Sequence, residues 1–389
     1  MLAKAEAQDT TMIRSSPGFE TPSLVLDATK MRRNIERLHV RLDGLGVAFR
    51  PHMKTSKSVE IVREMLGERV GAVTVSTLNE AEHALASGLT DILYAVAVTP
   101  AKLPRVRDLR RRGADLAVVV DSVSLAREIG AFARAHGVPI RTFVEIDCDG
   151  HRGGVRPTDI ALVEIGRTLA EGGAVVAGVM AHAGGSYALD DAEARADAGE
   201  AERAAAVAAA EKLRVAGFAT PVVSVGSTPT AFGARHLAGV SEVRAGVFAF
   251  FDLVMAGIGV CAVSDIALSV AASVLGHTAD GKRIVIDAGW TAMSRDRGTR
   301  SQRVDQFYGL VCDAVGVPFE DLVLVETNQE HGLVAVRPGS KGELPPLEVG
   351  DVVRILPNHA CATAAQHDRY LVLGDRNEVA AVWPRFRGW

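Results

Sequence analysis

The segment "RPHMKTSKSVEIVREML" (residues 50–66) places a lysine where an extended run gives way to a helix. Period-two alternation puts Arg50, His52 and Lys54 on one side of the run, and Val59, Ile61, Val62 and Leu66 then repeat with helical spacing. Three polar side chains on one face of a short strand are out of place in an apolar core. A lysine there can act as a nucleophilic amine once its ammonium, with a pKa of about 10.4 in water, loses a proton. Burial and a neighbouring cation promote that loss, and Arg50 and Lys57 are the cations near it in sequence. Far along the chain, "PNHACAT" (357–363) spaces His359 and Cys361 two apart, so that on an extended segment both side chains face the same way. Imidazole with thiolate suits a divalent ion, and two protein ligands leave positions for water and substrate.

These residues need a scaffold, and the chain supplies a regular one. From residue 48 to about 250, eight β-rich runs alternate with helical segments: 47–54, 72–77, 91–96, 115–122, 141–147, 175–182, 221–227 and 242–250. Strands alternating with helices read as βα units on a parallel sheet, and eight of them close into a (β/α)8 TIM-like barrel. An open doubly wound sheet is the alternative, but no GxGxxG follows the first strand. After about residue 258 long helical segments give way to strand-like runs and a turn-rich stretch at 337–351, which reads as a mostly β C-terminal domain. The early run "SLVLDA" (23–28) is expected to join that domain. The expected division is an N-terminal segment 1–45 that lends a strand to the β domain, a barrel over 46–257, and a β domain over 258–389.

Active groups of such a barrel lie at the C-terminal ends of its strands. That rule gathers Lys54 after the first strand, His151 and Arg152 in "DCDGHRGGV" after the fifth, His182 at the end of the sixth, and Ser186 and Tyr187 in "AGGSY" beyond it. After strands seven and eight come "GSTPT" (226–230) and "RAG" (244–246), where Gly226, Ser227, Thr228, Ala245 and Gly246 offer backbone N–H groups and hydroxyls to a phosphate. The same residue types also make ordinary turns. A phosphate cradle beside one strand-end lysine is the combination that pyridoxal 5'-phosphate requires, because the amine condenses with its aldehyde.

The totals exclude other classes. The chain has 389 residues with 43 basic and 47 acidic side chains, so its charge gives no reason to expect nucleic acid as a partner. No apolar run approaches the 18 residues of a membrane span, and the first sixteen residues lack the apolar block of a signal peptide. Four widely spaced cysteines do not form a disulfide framework, and a reducing cytoplasm is the expected location. Cys148, Cys261 and Cys312 read as small core residues.

Taken together, "RPHMKTSK", "EIDCDGHRGGV", "SVGSTPT", "EVRAGVFAFFD", "NQEHG" and "PNHACAT" resemble the fold-type III, alanine racemase-like pyridoxal-phosphate enzymes, in particular the D-serine dehydratase and D-threonine aldolase family. The likeness runs from about residue 20 to the C-terminus. It implies that Lys54 carries the cofactor and acts as base at the substrate's α-carbon, that Arg152 contacts the cofactor's ring oxygen, and that His52, His182 and Tyr187 lie near the cofactor. It implies that "GSTPT" and "RAG" hold the phosphate and that His359 and Cys361 bind the metal, zinc first, with manganese, cobalt or magnesium as alternatives. Aldolases of this group tend to show His-x-Asp at the metal position, so Cys361 leans toward the dehydratase branch. The implied reaction is dehydration of a β-hydroxy-D-amino acid, with D-threo-3-hydroxyaspartate placed ahead of D-serine, in a homodimer. Retro-aldol cleavage is the runner-up, and a racemase, with Tyr308 or Tyr370 as its second acid, stands behind it. A dicarboxylate substrate needs a second cation, for which Arg295, Arg297 and Arg300 are candidates.

Overall fold

The computed structural model describes residues 20–69 and 71–389. Residues 1–19 of the expected N-terminal segment lie outside the described residues. The first strand, β1 (Ser23–Asp27), precedes the barrel. The barrel strands follow in chain order as β2 (Ala48–Pro51), β3 (Ala72–Val75), β4 (Asp91–Ala97), β5 (Asp115–Val120), β6 (Arg141–Ile146), β7 (Val175–Ala181), β8 (Val222–Val225) and β9 (Glu242–Ala245). They pair in parallel in the order β2-β9-β8-β7-β6-β5-β4-β3. A bridge between His52 and Thr74 and a 2.9 Å hydrogen bond from Met53 N–H to Thr74 O nearly close the ring between β2 and β3. Runs such as "LAVVV" on β5 are buried throughout because helices cover the outer face of the sheet while side chains fill its interior. The helices begin where the sequence provides caps: Asp27, Thr77, Ser122 and Asp191 each accept a backbone N–H of the first turn.

The barrel interior is not uniformly apolar. Buried Arg50 donates to Glu242 at 2.8 Å and to Asp91 at 3.0 Å. Ser224 Oγ donates to Glu242 at 2.6 Å, and Arg244 in turn donates to Ser224 Oγ and to Ala181 O, both at 2.6 Å. Buried charges persist when they are hydrogen-bonded and, where possible, paired: Arg50 is paired with Glu242 and Asp91, and Arg244 is hydrogen-bonded to Ser224 and Ala181 O.

The second unit contains β10 (Leu268–His277), β11 (Ile284–Ile286), β12 (Gly309–Cys312), β13 (Pro318–Thr327), β14 (Gly332–Val336), β15 (Val352–Pro357), β16 (Arg369–Leu373) and β17 (Val379–Pro384). Its sheet order is β11-β14-β13-β12-β15-β10-β1-β16-β17, and β11 also pairs with β10, which closes part of the sheet into an antiparallel barrel. β1 lies between β10 and β16, antiparallel to the first and parallel to the second. The described residues therefore run from a strand of the β unit through the barrel and back to the β unit.

Three boundaries differ from the sequence expectation, one being the run 242–250, which is a strand only over Glu242–Ala245 and turns into a short helix at Val247–Ala249. The run 47–54 is a strand only over Ala48–Pro51; His52 adds an isolated bridge to Thr74, and residues 53–56 form a turn closed by the Lys57 N–H on Met53 O at 2.8 Å. The segment around "PNHACAT" is not extended: His359 is the N-cap of a short helix, Ala360–Ala364.

Candidate active site

A cavity of about 850 Å³ opens at the C-terminal ends of the barrel strands. His52, Lys54, Arg152, His182, Tyr187, Gly226, Ser227, Thr228, Ala245, Gly246, His359 and Cys361 all line it. Residues separated by more than 300 positions thus meet because the β unit sets the end of β15 against the barrel mouth.

Lys54 lies in the turn after β2, half-buried, at the edge of this cavity. Its backbone N–H points at His52 Nδ1, 3.3 Å away, and His52 Nε2 lies 3.4 Å from Ser76 Oγ. Nδ1 therefore accepts and Nε2 donates, which is the neutral imidazole. Burial, with the charges of Lys54 and Arg244, holds the His52 pKa well below its usual range. His182 Nδ1 lies 2.7 Å from Gly226 O, and a carbonyl only accepts, so Nδ1 carries the proton and Nε2 is left as an acceptor. Burial lowers the His182 pKa to about 3, opposed by that hydrogen bond and assisted by Arg152, Lys54 and Arg244. Burial raises the Tyr187 phenol above its ordinary value, so it remains a donor.

The expected phosphate cradle is narrower than the sequence implied. Gly226 N–H donates to Glu202 Oε1 at 3.1 Å, and Ser227 N–H donates to Thr230 Oγ1 at 3.1 Å, so neither is available to an anion. Glu202 is buried on the helix Ala192–Val215. It also receives Ala183 N–H at 2.8 Å and the Thr230 hydroxyl at 2.8 Å, tying the ends of β7 and β8 together. What does fit a phosphate is Thr228 Oγ1, a buried hydroxyl with no hydrogen-bond partner, together with Gly246. A Cβ at Gly246 would stand 3.0 Å from Thr55 Oγ1 and 3.1 Å from His52 O, so only a bare backbone passes there. Gly226, with φ +139°, would bring a Cβ to 2.1 Å from Arg244 O.

At the other wall, His359 Nδ1 lies 2.7 Å from Asp296 Oδ2, and Cys361 Sγ lies 3.2 Å from Thr55 Oγ1. Asp252 at the end of the barrel chain accepts the N–H of Ala360, the residue between the two ligand candidates, at 2.9 Å. Burial would raise the Cys361 thiol, but the hydrogen bond and charge of His359, with Lys54, hold it below the ordinary thiol value. The contacts with Asp296 and Cys361 raise His359 to about 11. Among the described residues no group of three or more His, Cys, Asp or Glu side chains is arranged to hold an ion. His359 and Cys361 together offer an imidazole and a thiol, and a pair of that kind would suit an open site completed by water or substrate rather than a closed structural one. A carboxylate on the far nitrogen of a ligating histidine is the usual outer support of such a site.

Several candidates fall outside the cavity. Arg50 lies deeper in the barrel, saturated by Glu242 and Asp91, and Lys57 turns to Glu80 at 3.5 Å. The cations that share the cavity with Lys54 are instead Arg152 and Arg244. Arg295 stacks on Trp290, Arg297 pairs with Asp305 at 2.5 Å, and neither they nor Arg300 line the cavity. Tyr308 and Tyr370 are also absent from its walls, and the Tyr370 hydroxyl donates to Ser56 O at 2.5 Å. Burial pushes Cys148 and Cys312 up to about 12 and Cys261 up as well, which fits unreactive thiols. Conversely, Asp296, Asp252 and Glu145 belong to the cavity and had no sequence signal. Asp296 stands in "SRDRGTR", which reads as a solvated loop, and only its position opposite His359 reveals it.

Residues 26–254 match the family model described as alanine racemase, N-terminal domain, and residues 267–373 match that described as putative serine dehydratase domain. A D-threo-3-hydroxyaspartate dehydratase of Delftia sp. (strain HT23) is 52% identical over 374 residues, covering 95% of this chain and 98% of that protein. This chain belongs to the D-serine dehydratase family of alanine racemase-like, fold-type III enzymes. The family depends on pyridoxal phosphate. The solved structure of the D-threo-3-hydroxyaspartate dehydratase from Delftia sp. HT23 superposes on this family member with a TM-score of 0.93 at 51% identity, over 96% of this chain and 99% of that one. A D-threonine aldolase from Filomicrobium marinum superposes with a TM-score of 0.79 at 26% identity, over 95% of each chain.

Proposed function

We propose that this enzyme is a pyridoxal-phosphate- and metal-dependent lyase that dehydrates a β-hydroxy-D-amino acid, D-threo-3-hydroxyaspartate first and D-serine second, to a 2-oxo acid and ammonia. For 3-hydroxyaspartate the products are oxaloacetate and ammonia, water leaving in the elimination and returning in the hydrolysis. The observation that carries the reading is the convergence of Lys54 and the His359–Cys361 pair on one cavity, supported by the 52% identity with a D-threo-3-hydroxyaspartate dehydratase across nearly the whole chain.

Lys54 would hold the cofactor aldehyde, with Thr228 Oγ1 and the Gly246 backbone at its phosphate. Arg152 makes no hydrogen bond or ion pair among the described residues, and the family likeness puts it at the ring oxygen. The Lys54 amine would serve as the base for the substrate's α-proton, and a positioned base of this kind is worth about 10²–10⁴-fold. The bound cofactor supplies an electron sink for the α-carbanion. His359 and Cys361 would hold a divalent ion, zinc first, that supplies Lewis-acid stabilisation to the departing β-oxygen. Tyr187 and neutral His182 border the same space, the first as a donor and the second as an acceptor, so neither adds charge to the cavity.

Retro-aldol cleavage to glycine and an aldehyde is the second reading, favoured by the shared fold of the D-threonine aldolase. Incubation with D-threo-3-hydroxyaspartate, D-serine and D-threonine, followed by mass spectrometry of the products, separates the two. Ammonia with a 2-oxo acid supports dehydration, and glycine with an aldehyde overturns it. We further propose a cytoplasmic homodimer. Among the described residues no helix is long and apolar enough to cross a membrane.

A further inference from the structure

The three residues that follow Lys54 are each held by a different part of the β unit. Thr55 Oγ1 lies 3.2 Å from Cys361 Sγ. Ser56 O accepts the hydroxyl of Tyr370 at 2.5 Å, and the Tyr370 ring is fully buried against Phe250. Lys57 O accepts the N–H of Phe386 at 2.9 Å. Lys54 sits inside the turn that these contacts enclose, because Lys57 N–H reaches back to Met53 O at 2.8 Å. The exit of the turn is strained: Lys57 has φ +44°, a left-handed conformation that residues with a side chain rarely adopt. Such a conformation persists only where its surroundings over-determine it.

The surroundings that do so are the last residues of the chain. Arg385 N–H is anchored to Asp368 O at 2.7 Å, and the Arg387 guanidinium to Gln366 O at 2.8 Å, both within the β unit. On the barrel side, Phe386 stacks on His83 with ring centres 4.1 Å apart and planes 8° from parallel, and Asn79 Nδ2 donates to Arg387 O at 2.7 Å. The terminal segment is thus a strap fixed to both units, with Phe386 N–H pressed on Lys57 between the anchors.

We propose that Tyr370 and the strap Arg385–Arg387 are positioning elements for Lys54, holding the Met53–Lys57 turn so that the amine stands at the cavity edge. The inference rests on reading Lys54 as the cofactor lysine. Tyr370 thereby has a role other than a second acid for racemisation, since its proton is committed to Ser56 O.

The test uses the full-length holoenzyme with four substitutions. Tyr370→Phe deletes only the hydroxyl; Phe386→Ala deletes the stack; Phe386→Tyr restores it; Val215→Ala alters an exposed residue at the end of the helix Ala192–Val215, away from the strap. For Tyr370→Phe and Phe386→Ala, kcat on D-threo-3-hydroxyaspartate should fall on the order of ten-fold with KM within about two-fold, because a displaced reacting group costs rate more than binding. Phe386→Tyr and Val215→Ala should match the parent enzyme. If Tyr370→Phe and Phe386→Ala both keep the parental kcat, or lose activity only in proportion to the unfolded fraction seen by circular dichroism, the proposal fails. Asn79→Ala, which releases only the Arg387 carbonyl, replaces either variant that does not fold and should lower kcat in the same sense. Borohydride reduction of the parent enzyme separates the two readings. Label on Lys54 with unchanged kcat in the variants sinks only the strap, and label elsewhere sinks both.

Discussion

His359 Nδ1 is 2.7 Å from a carboxylate oxygen of Asp296, which leaves Nε2 as the only ring nitrogen for a ligand. The two residues are 63 positions apart, one in a charged loop and the other at the end of β15. Removing the carboxylate releases the ring to rotate and weakens its basicity. Asp296→Ala should lower divalent-metal affinity about 10–100-fold, with activity recovered at excess metal and cofactor absorbance unchanged. Asp296→Asn, whose carbonyl still accepts from Nδ1, should lose less. Metal titration with elemental analysis of the bound ion checks both, and equal affinity in all three proteins would exclude the supporting role.

Cys361 carries the complementary expectation. Cys361→Ala should abolish ammonia release while the absorbance of the lysine-bound cofactor persists, since Lys54 and Thr228 are untouched. Substantial activity in the variant, or in chelator-treated protein with no measurable metal, would remove the ion from the reaction.

Thr228 Oγ1 is buried and makes no hydrogen bond within the chain. Thr228→Val keeps the shape and deletes the hydroxyl. Losing a hydrogen bond to a charged group, worth about 1.5–3 kcal/mol, corresponds to a cofactor dissociation constant raised roughly ten-fold or more. At saturating cofactor kcat should be near the parental value. Fluorescence titration of the apoenzyme measures this, and an unchanged constant would move the phosphate elsewhere.

Acid stability follows from the neutral imidazoles. Burial depresses His182 to about 3 from an ordinary 6.5, and His52 shifts in the same direction. The unfolded chain therefore binds protons on these rings between pH 6.5 and about 3 while the folded chain does not. Their contribution is fully present above pH 6.5 and is lost progressively as pH falls toward 3. Urea midpoints should decline over that window, and the decline should be shallower in His182→Gln. An identical slope in that variant would mean that His182 is charged in the fold.

The βα rhythm and the rule that barrels work at strand C-termini were enough to bring Lys54, Arg152, His182, Tyr187 and the small residues after β8 and β9 to one mouth. His359 and Cys361 were legible as two residues meeting at one place, and both line the cavity, although their local geometry was not legible: spacing of two suggested an extended segment, and the chain instead starts a helix at that point. What could not be read were partners that depend on tertiary approach. Glu202 looks like one acid among many on an alanine-rich helix, yet it occupies the N–H of Gly226 that an anion was expected to take. Asp296 looks like a solvated charge, and Arg50 like a cavity cation, until Asp91 and Glu242 are seen to claim it. The left-handed Lys57 and the strap that holds it have no local signature, because Phe386 lies more than 300 residues away.

The central claim is that the Lys54 amine carries pyridoxal phosphate at the barrel mouth. Reduction of the holoenzyme with borohydride, proteolysis and peptide mapping tests it directly. The account predicts a single pyridoxyl label, on the peptide containing "HMKTSK" and at Lys54. A label on Lys57 or any other lysine, or none in protein that retains activity, would contradict it.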